Sequence, residues 1–197
     1  MWCISLIEKR PIIVAGTGRC GTSLLMLLYK AIGLKTCVST SPFNSVTNSG
    51  LDVPIEGSAY IASRTWKKYD VIKHPRFLIH IASDIESGLI RPSAVIIPLR
   101  AIPEVVRSME AAGMTRGLDS KFLLRDICRS LAEFIIDIHI AQESMADRYK
   151  FDIMFPVFDK LRSDYEYAYE YIVRSAGSKI LLKDFQLIYD DVIGMRS

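Results

Sequence analysis

A glycine-rich stretch between an apolar run and a helical pattern is the feature that most constrains this chain. Residues 11–15 form an apolar run typical of a buried strand, and residues 16–23 are Gly-Thr-Gly-Arg-Cys-Gly-Thr-Ser. Residues 22–32 then place leucines at helical spacing until Gly33. Glycines let backbone amides turn inward, and a helix N-terminus adds the positive end of a dipole. The stretch therefore predicts an anion-binding loop, and the alternative is an ordinary turn with an incidental Arg19.

Apolar runs alternate with helical patterns along the rest of the chain. This alternation predicts a three-layer α/β fold with a mostly parallel central sheet flanked by helices, in one domain over residues 1–197. Residues 39–57 are rich in Ser, Asn, Pro and Gly, which indicates a long exposed loop. Further strands are predicted at residues 34–38, 69–73, 94–99 and 151–155, and helices at 58–68, 77–87, 103–112, 120–149 and, after a capping box at 163–166, up to Gly177.

Composition excludes several classes of protein. Half of the 197 residues are apolar and 24% are charged, so the chain is neither a disordered tail nor a collagen-like repeat. The net charge of +3 does not indicate a nucleic-acid or membrane-surface partner. Four scattered cysteines predict neither a zinc site nor a disulfide scaffold. Without a membrane-spanning run or a signal-peptide pattern, we expect a cytoplasmic protein. A mean hydropathy of +0.21 favours a well-buried core and a homo-oligomer.

The glycine-rich stretch has the glycine spacing of a Walker A motif but lacks its lysine. Gly16 and Gly21 have the GxxxxG spacing, yet Thr22 occupies the lysine position. A kinase also needs an acidic residue that holds magnesium, usually at the end of another strand. The predicted strand 94–99 is followed by Arg100 instead. These residues favour a phosphorylated ligand that needs no metal.

Arg100 and Ser108 form a second candidate anion site. Ser108 comes eight positions after Arg100, on the predicted helix that follows the strand. Helical side chains lean toward the helix N-terminus, and an arginine beside a hydroxyl suits a phosphate. The alternative is an arginine that covers a carbonyl and a serine that is hydrogen-bonded within its helix. Two anion sites on neighbouring crossover loops suit a nucleoside with phosphates at both ends.

Together these segments resemble the sulfotransferase superfamily, whose members use 3′-phosphoadenosine 5′-phosphosulfate (PAPS). The stretch Arg19-Cys-Gly-Thr-Ser23 is similar to the family's 5′-phosphate loop, and Arg100 with Ser108 is similar to its 3′-phosphate motif. Residues 71–76, Val-Ile-Lys-His-Pro-Arg, look like a Lys-x-Pro-Arg segment of bacterial and tyrosylprotein sulfotransferases. The resemblance covers residues 11–113 and is fainter over 151–177. The chain departs from the family at Cys20, where serine is commoner, and at His74, which replaces an aspartate.

The resemblance implies a P-loop fold and a PAPS-dependent sulfotransferase that uses no metal. The acceptor is then a hydroxyl or amine of a small molecule or glycan. Arg19 and Lys73 are expected to stabilise charge on the departing nucleotide and the sulfuryl oxygens, and Glu56 or His74 is expected to act as general base. The residues expected to bind PAPS are Gly16, Thr17, Gly18, Arg19, Cys20, Gly21, Thr22, Ser23, Arg100 and Ser108.

Two other functions stay open on the sequence. One is a small-molecule or nucleoside kinase with an atypical phosphate loop, which the missing Walker lysine disfavours. The other is a non-catalytic nucleotide-binding protein of the same fold, which the short C-terminal half favours. For Lys73 the alternative to a catalytic role is an exposed strand-end lysine in a surface ion pair.

Overall fold

The computed structural model describes residues 10–16, 19–36, 68–73, 85–88, 90–113, 120–144 and 150–194. Within these residues, short strands and longer helices alternate. The strands are β1 (Ile12–Val14), β2 (Val71–Lys73), β3 (Ala94–Ile96) and β4 (Asp152–Met154). The helices are α1 (Thr22–Ala31), α2 (Ile102–Ala111), α3 (Ser120–Ser144), α4 (Phe158–Ser163), α5 (Tyr165–Ala176) and α6 (Leu182–Gly194).

The four described strands form one sheet in the order β2-β1-β3-β4, and every pair is parallel. Ile13 of β1 is in register with Ile72 of β2 on one side and with Val95 of β3 on the other. The strand order therefore reverses direction at β1. The connections between parallel strands cover both faces of the sheet. This explains why the residues of the four strands are almost entirely apolar.

Helices cover both faces of this sheet. On one face, Val14 and Ile96 pack in a cluster with side chains of α1, α4, α5 and α6. On the opposite face, Ile13 and Val95 pack with Phe134 of α3 and its neighbours. Successive residues of a strand point to opposite faces, so each short apolar strand serves both clusters. The predicted three-layer α/β class, with a mostly parallel sheet flanked by helices, is confirmed.

Helix α1 is held between the sheet and the C-terminal helices. Its leucines face the sheet cluster, and Tyr29 is fully buried with its hydroxyl 2.6 Å from Ser175 Oγ of α5. Burial raises the pKa of Tyr29 well above its usual value, and the hydrogen bond to Ser175 opposes this only in part. Gly33, with φ of +90°, follows the end of the helix as predicted.

The ends of the elements differ from the predicted ones chiefly at the strands. The predicted strand 94–99 ends at Ile96, and Pro98 follows just beyond it, where its missing amide hydrogen costs nothing. Within the predicted strand 34–38, the described residues 34–36 form one bridge, between Thr36 and Val71. Residues 39–57, and most of the predicted helices 58–68 and 77–87, lie outside the described residues. No helix in the described ranges is long and apolar enough to cross a membrane.

The predicted capping box at residues 163–166 is wrong by one residue. Asp164 is the N-cap of α5, and its Oδ1 accepts a hydrogen bond from the Tyr167 backbone amide at 3.0 Å. Ser163 instead ends α4, where its hydroxyl donates to the Asp159 carbonyl at 2.8 Å. Both residue types are good caps, so the choice between them depends on where α4 stops.

Candidate functional site

The residues that the sequence singles out, where the structure describes them, meet at one edge of the sheet. Because all the described strands are parallel, the carboxyl ends of β2, β1 and β3 lie side by side. After β1 the chain continues into α1, which covers one face of the sheet. After β3 it continues through α2 into α3, which covers the other face. Open α/β sheets bind ligands in the crevice where neighbouring strands connect to opposite faces in this way. The candidate site lies at this position, between β1 and β3.

The glycine-rich loop after β1 is tightly packed. Gly16 has φ of +147°, and a Cβ there would lie 2.8 Å from Cys20 Sγ, so the loop accommodates no side chain at that position. Arg19 adopts the left-handed conformation, with φ of +69°. Gly21 caps α1 with φ of +105°, and its carbonyl accepts a hydrogen bond from the Leu24 amide at 3.0 Å. The first turn of α1 contains no acidic residue, so the positive end of its dipole is not neutralised locally.

Lys73, the last residue of β2, contacts the first turn of α1. It is in register with Val14 of β1, and its Nζ donates to Ser23 Oγ at 3.0 Å. Only 9% of the residue is exposed, so the interpretation as a surface lysine is wrong. Lys73 points to the same face as Val71, two residues earlier, and α1 covers that face. Thr22 is also buried at 4%, whereas Ser23 remains half-buried. The structure therefore places an ammonium and a hydroxyl together at the helix N-terminus.

Arg19 links the glycine-rich loop to α2. Its Nε donates to Ser108 Oγ at 2.9 Å, across 89 residues of sequence. Ser108 was expected to act with Arg100, so the structure changes its partner but keeps it at the same edge of the sheet. This contact joins the segments that follow β1 and β3, which are the two neighbouring strands at the reversal point.

The side chain of Arg100 contacts the backbone of the same loop. One terminal nitrogen (NH1) donates to the Arg19 carbonyl oxygen at 3.2 Å, while Nε pairs with Glu104 Oε2 at 3.1 Å. The guanidinium carbon lies 4.8 Å from the centre of the Phe158 ring, within the range of a cation–π contact. Arg100 thus covers a carbonyl, as the alternative interpretation of this residue held. The carbonyl it covers belongs to the residue whose side chain reaches Ser108.

The site residues predicted from the sequence also include Cys20 and four residues that the structure does not describe. Cys20 is buried within the loop and packs close to Gly16. Thr17, Gly18, Glu56 and His74 lie outside the described residues. Among the residues that the structure describes, no cluster of histidine, cysteine and carboxylate side chains has the arrangement of a metal site.

Sequence reasoning missed two residues at this site, Glu104 and Phe158. Glu104 follows Arg100 by four positions at the start of α2, a spacing that often pairs charges on helices. That signal was available. Phe158 lies 58 residues beyond Arg100 and gives no local signal, because only the pairing of β3 with β4 brings it close.

The described part of the site brings three cationic side chains to one edge of the sheet: Arg19, Lys73 and Arg100. Of these three, Arg100 forms an ion pair with Glu104. Such a set of donors suits a ligand with more than one negative group. No protein-family model matches the chain, and no curated protein is significantly similar to it.

Proposed function

We propose that this protein binds adenosine 3′,5′-bisphosphate nucleotides at the edge of the sheet and transfers a sulfuryl group from PAPS to a hydroxyl or amine acceptor. The observation that carries the proposal is the hydrogen bond between Arg19 and Ser108. It joins two segments, each with its own cation, around the N-terminus of α1. The resemblance of the same segments to sulfotransferases supports the choice of nucleotide.

The donors form two groups that suit the two ends of a bisphosphate. Lys73 and Ser23 form the first group, at the N-terminus of α1, where a helix dipole favours a phosphate. Arg19 and Ser108 form the second, on the side of α2. We assign the first group to the 5′-phosphate and sulfuryl end of the nucleotide, and the second to the 3′-phosphate. This assignment moves Arg19 from the 5′ end, where the sequence alone had placed it.

Arg100 then acts mainly on the loop rather than on the ligand. Its contact with the Arg19 carbonyl stabilises the left-handed conformation that directs Arg19 toward Ser108. Glu104 and Phe158 hold the guanidinium from two other sides. Loss of Arg100 is therefore expected to weaken binding of every nucleotide at this site, not only those with a 3′-phosphate.

PAPS supplies both the sulfuryl group and a bisphosphate that leaves as charge accumulates on its 5′ end. Lys73 is suited to stabilise that charge because burial lowers the local dielectric and strengthens its interaction with an anion. Ser23 holds the ammonium in place through the 3.0 Å hydrogen bond. The acceptor's proton needs a base, for which Glu56 and His74 remain the proposed residues.

Thermal shift with a set of nucleotides tests the proposal. Adenosine 3′,5′-bisphosphate should stabilise the protein without magnesium, and more than AMP, 3′-AMP or ATP. A ligand at about a hundred times its Kd adds about 2.7 kcal/mol, which corresponds to roughly 5–10 °C in a chain of this length. Stabilisation by ATP only with magnesium, and none by the bisphosphate, would instead support a kinase.

One variant on α2 and one in the glycine-rich loop test the assignment of the two phosphates. Ser108→Ala and Arg19→Gln should weaken binding of the bisphosphate by about 10–100-fold, the usual value of a charge-assisted hydrogen bond, but affect AMP little. Arg107→Ala is the matched control, since Arg107 is exposed on the same helix. Equal losses for AMP and the bisphosphate would refute the assignment. Transfer of labelled sulfate from PAPS to an acceptor, or its release by transfer to water, separates an enzyme from a non-catalytic binding protein.

A further inference from the structure

The outward side of α3 carries a stripe of exposed residues with an unusual order. We define the outer stripe as the six exposed residues at three- and four-residue spacing along this helix: Arg125, Arg129, Ala132, Ile136, Ile140 and Glu143. The opposite side packs on the sheet through Phe134, Ile138 and Ala141. The outer stripe is thus the face of α3 directed away from the core of the protein.

Two large aliphatic side chains lie in the middle of the outer stripe. Ile136 is 57% exposed and Ile140 is 55% exposed, and they are four residues apart on the same side of the helix. Single exposed aliphatic residues are common, but an adjacent pair on a helix makes a continuous apolar surface. It is flanked by arginines toward the N-terminus of α3 and by Glu143 toward its C-terminus.

Two pairs of residues within this order match each other in the antiparallel direction. Arg125 and Glu143 are centred on position 134, and so are Ala132 and Ile136. One two-fold axis at this position therefore brings Arg125 opposite Glu143 of a second copy and Ala132 opposite Ile136 of that copy. Symmetric dimers use such self-complementary patches. About the same axis, Ile140 lies opposite the exposed Cys128 of the second copy, and Arg129 lies opposite its exposed His139.

From this geometry we infer that the outer stripe is a dimer interface, in which α3 packs antiparallel against α3 of a second copy of this chain. A 25-residue helix is about 38 Å long, and a single helix pair buries less surface than a permanent complex. The dimer is therefore expected to dissociate on dilution. The small side chain of Ala132 allows the helix axes to approach closely at the centre. The inference does not depend on the proposed nucleotide.

The exposed pair between Arg129 and Glu133 on the same helix does not oppose this arrangement. Its atoms are 3.7 Å apart, and the two side chains are 71% and 65% exposed. Such surface pairs contribute little to stability, so Arg129 is able to reorient when a second copy approaches.

Sedimentation velocity over a range of protein concentrations tests the interface. The wild-type chain should shift from monomer to dimer, and the double variant Ile136→Glu with Ile140→Glu should stay monomeric with an unchanged circular dichroism spectrum. Leu187→Glu is the matched control, because Leu187 is a 72% exposed aliphatic residue on α6. A wild-type chain that stays monomeric, or a dimer lost only with Leu187→Glu, would overturn the inference.

A charge swap tests the antiparallel pairing. Arg125→Glu alone and Glu143→Arg alone should each weaken self-association about tenfold, since every dimer contains two such contacts. The double variant should return close to the wild-type dissociation constant. Restoration within one chain is impossible, because 18 residues of helix separate the two positions by about 27 Å. A double variant weaker than both single variants would refute the antiparallel pairing.

Discussion

Gly21→Ala is a sharp test of how the glycine-rich loop is built. Gly21 has φ of +105° and ψ of 3°, a conformation that disfavours any residue with a side chain. A methyl group at this position would also collide with the ring of Phe158 and would lie 2.9 Å from its Cε2 atom. Phe158 is 9% exposed and stacks under Arg100, so the ring has little room to move aside.

Two terms set the size of the effect. The left-handed backbone costs about 1–2 kcal/mol for alanine relative to glycine. Forcing Phe158 from its packed position adds about 1–3 kcal/mol, as in other overpacked cores. We therefore expect Gly21→Ala to lower the free energy of unfolding by about 2–5 kcal/mol, a large part of the stability of an ordinary domain.

Gly33→Ala isolates the first of these terms. Gly33 has a similar φ of +90°, but a Cβ there meets nothing within 4 Å. This variant should lose only the backbone cost, about 1–2 kcal/mol. The difference between the two variants then measures the contact with Phe158.

Urea unfolding followed by circular dichroism gives both values from the same preparation, provided the slope with urea is unchanged. The double variant Gly21→Ala with Phe158→Leu completes the test, because removal of the ring should make the alanine less costly. Equal losses for Gly21→Ala and Gly33→Ala, or a full sum in the double variant, would refute the packing described for this loop.

Three further predictions concern other parts of the molecule. Lys73→Met should lower release of sulfate from PAPS by about 10²-fold, in line with the loss of one charge-stabilising donor, while Lys73→Arg keeps part of it; an unchanged rate in a folded Lys73→Met variant excludes the catalytic role. Asp164→Ala should cost about 1 kcal/mol in urea unfolding because the amide of Tyr167 loses its cap, and no loss would contradict the assigned N-cap. Burial raises the pKa of Tyr189 to about 12 and also raises that of Tyr29. The unfolded chain therefore releases these protons first, and stability should fall as pH rises above about 10. Tyr29→Phe should make that fall shallower, and an identical alkaline limb would speak against a buried neutral hydroxyl.

The fold class and the meeting of the main site residues could both be predicted from the sequence. Short apolar runs alternating with helices indicate a parallel sheet, and parallel strands direct their ends to one edge. Arg19, Lys73, Arg100 and Ser108 all follow or end strands, which is why they share that edge. The partners could not be predicted, because Arg19 reaches Ser108 only through the left-handed turn at its own backbone.

The burial of Lys73 and the presence of α6 depend on tertiary packing and could not be predicted from the sequence. Lys73 looks exposed from its place at a strand end, but α1 buries it. Helix α6 was not predicted, although Phe185, Tyr189 and Val192 recur at spacings of four and three and are all buried. The helical spacing of these apolar residues is hard to recognise in the sequence, because the exposed Leu187 and the acidic residues 190–191 lie between them.

The position of α1 has a consequence for how the protein is made. Leu24, Leu25 and Tyr29 share a cluster with Phe185 and Tyr189 of α6, which follows much later in the sequence. About 150 residues separate the two helices. A ribosome that adds about 5–20 residues per second needs about 8–30 s to synthesise this intervening segment. During that interval the apolar side of α1 lacks part of its cover on the growing chain. The loop at the N-terminus of α1 is therefore synthesised well before the C-terminal helices that complete its packing.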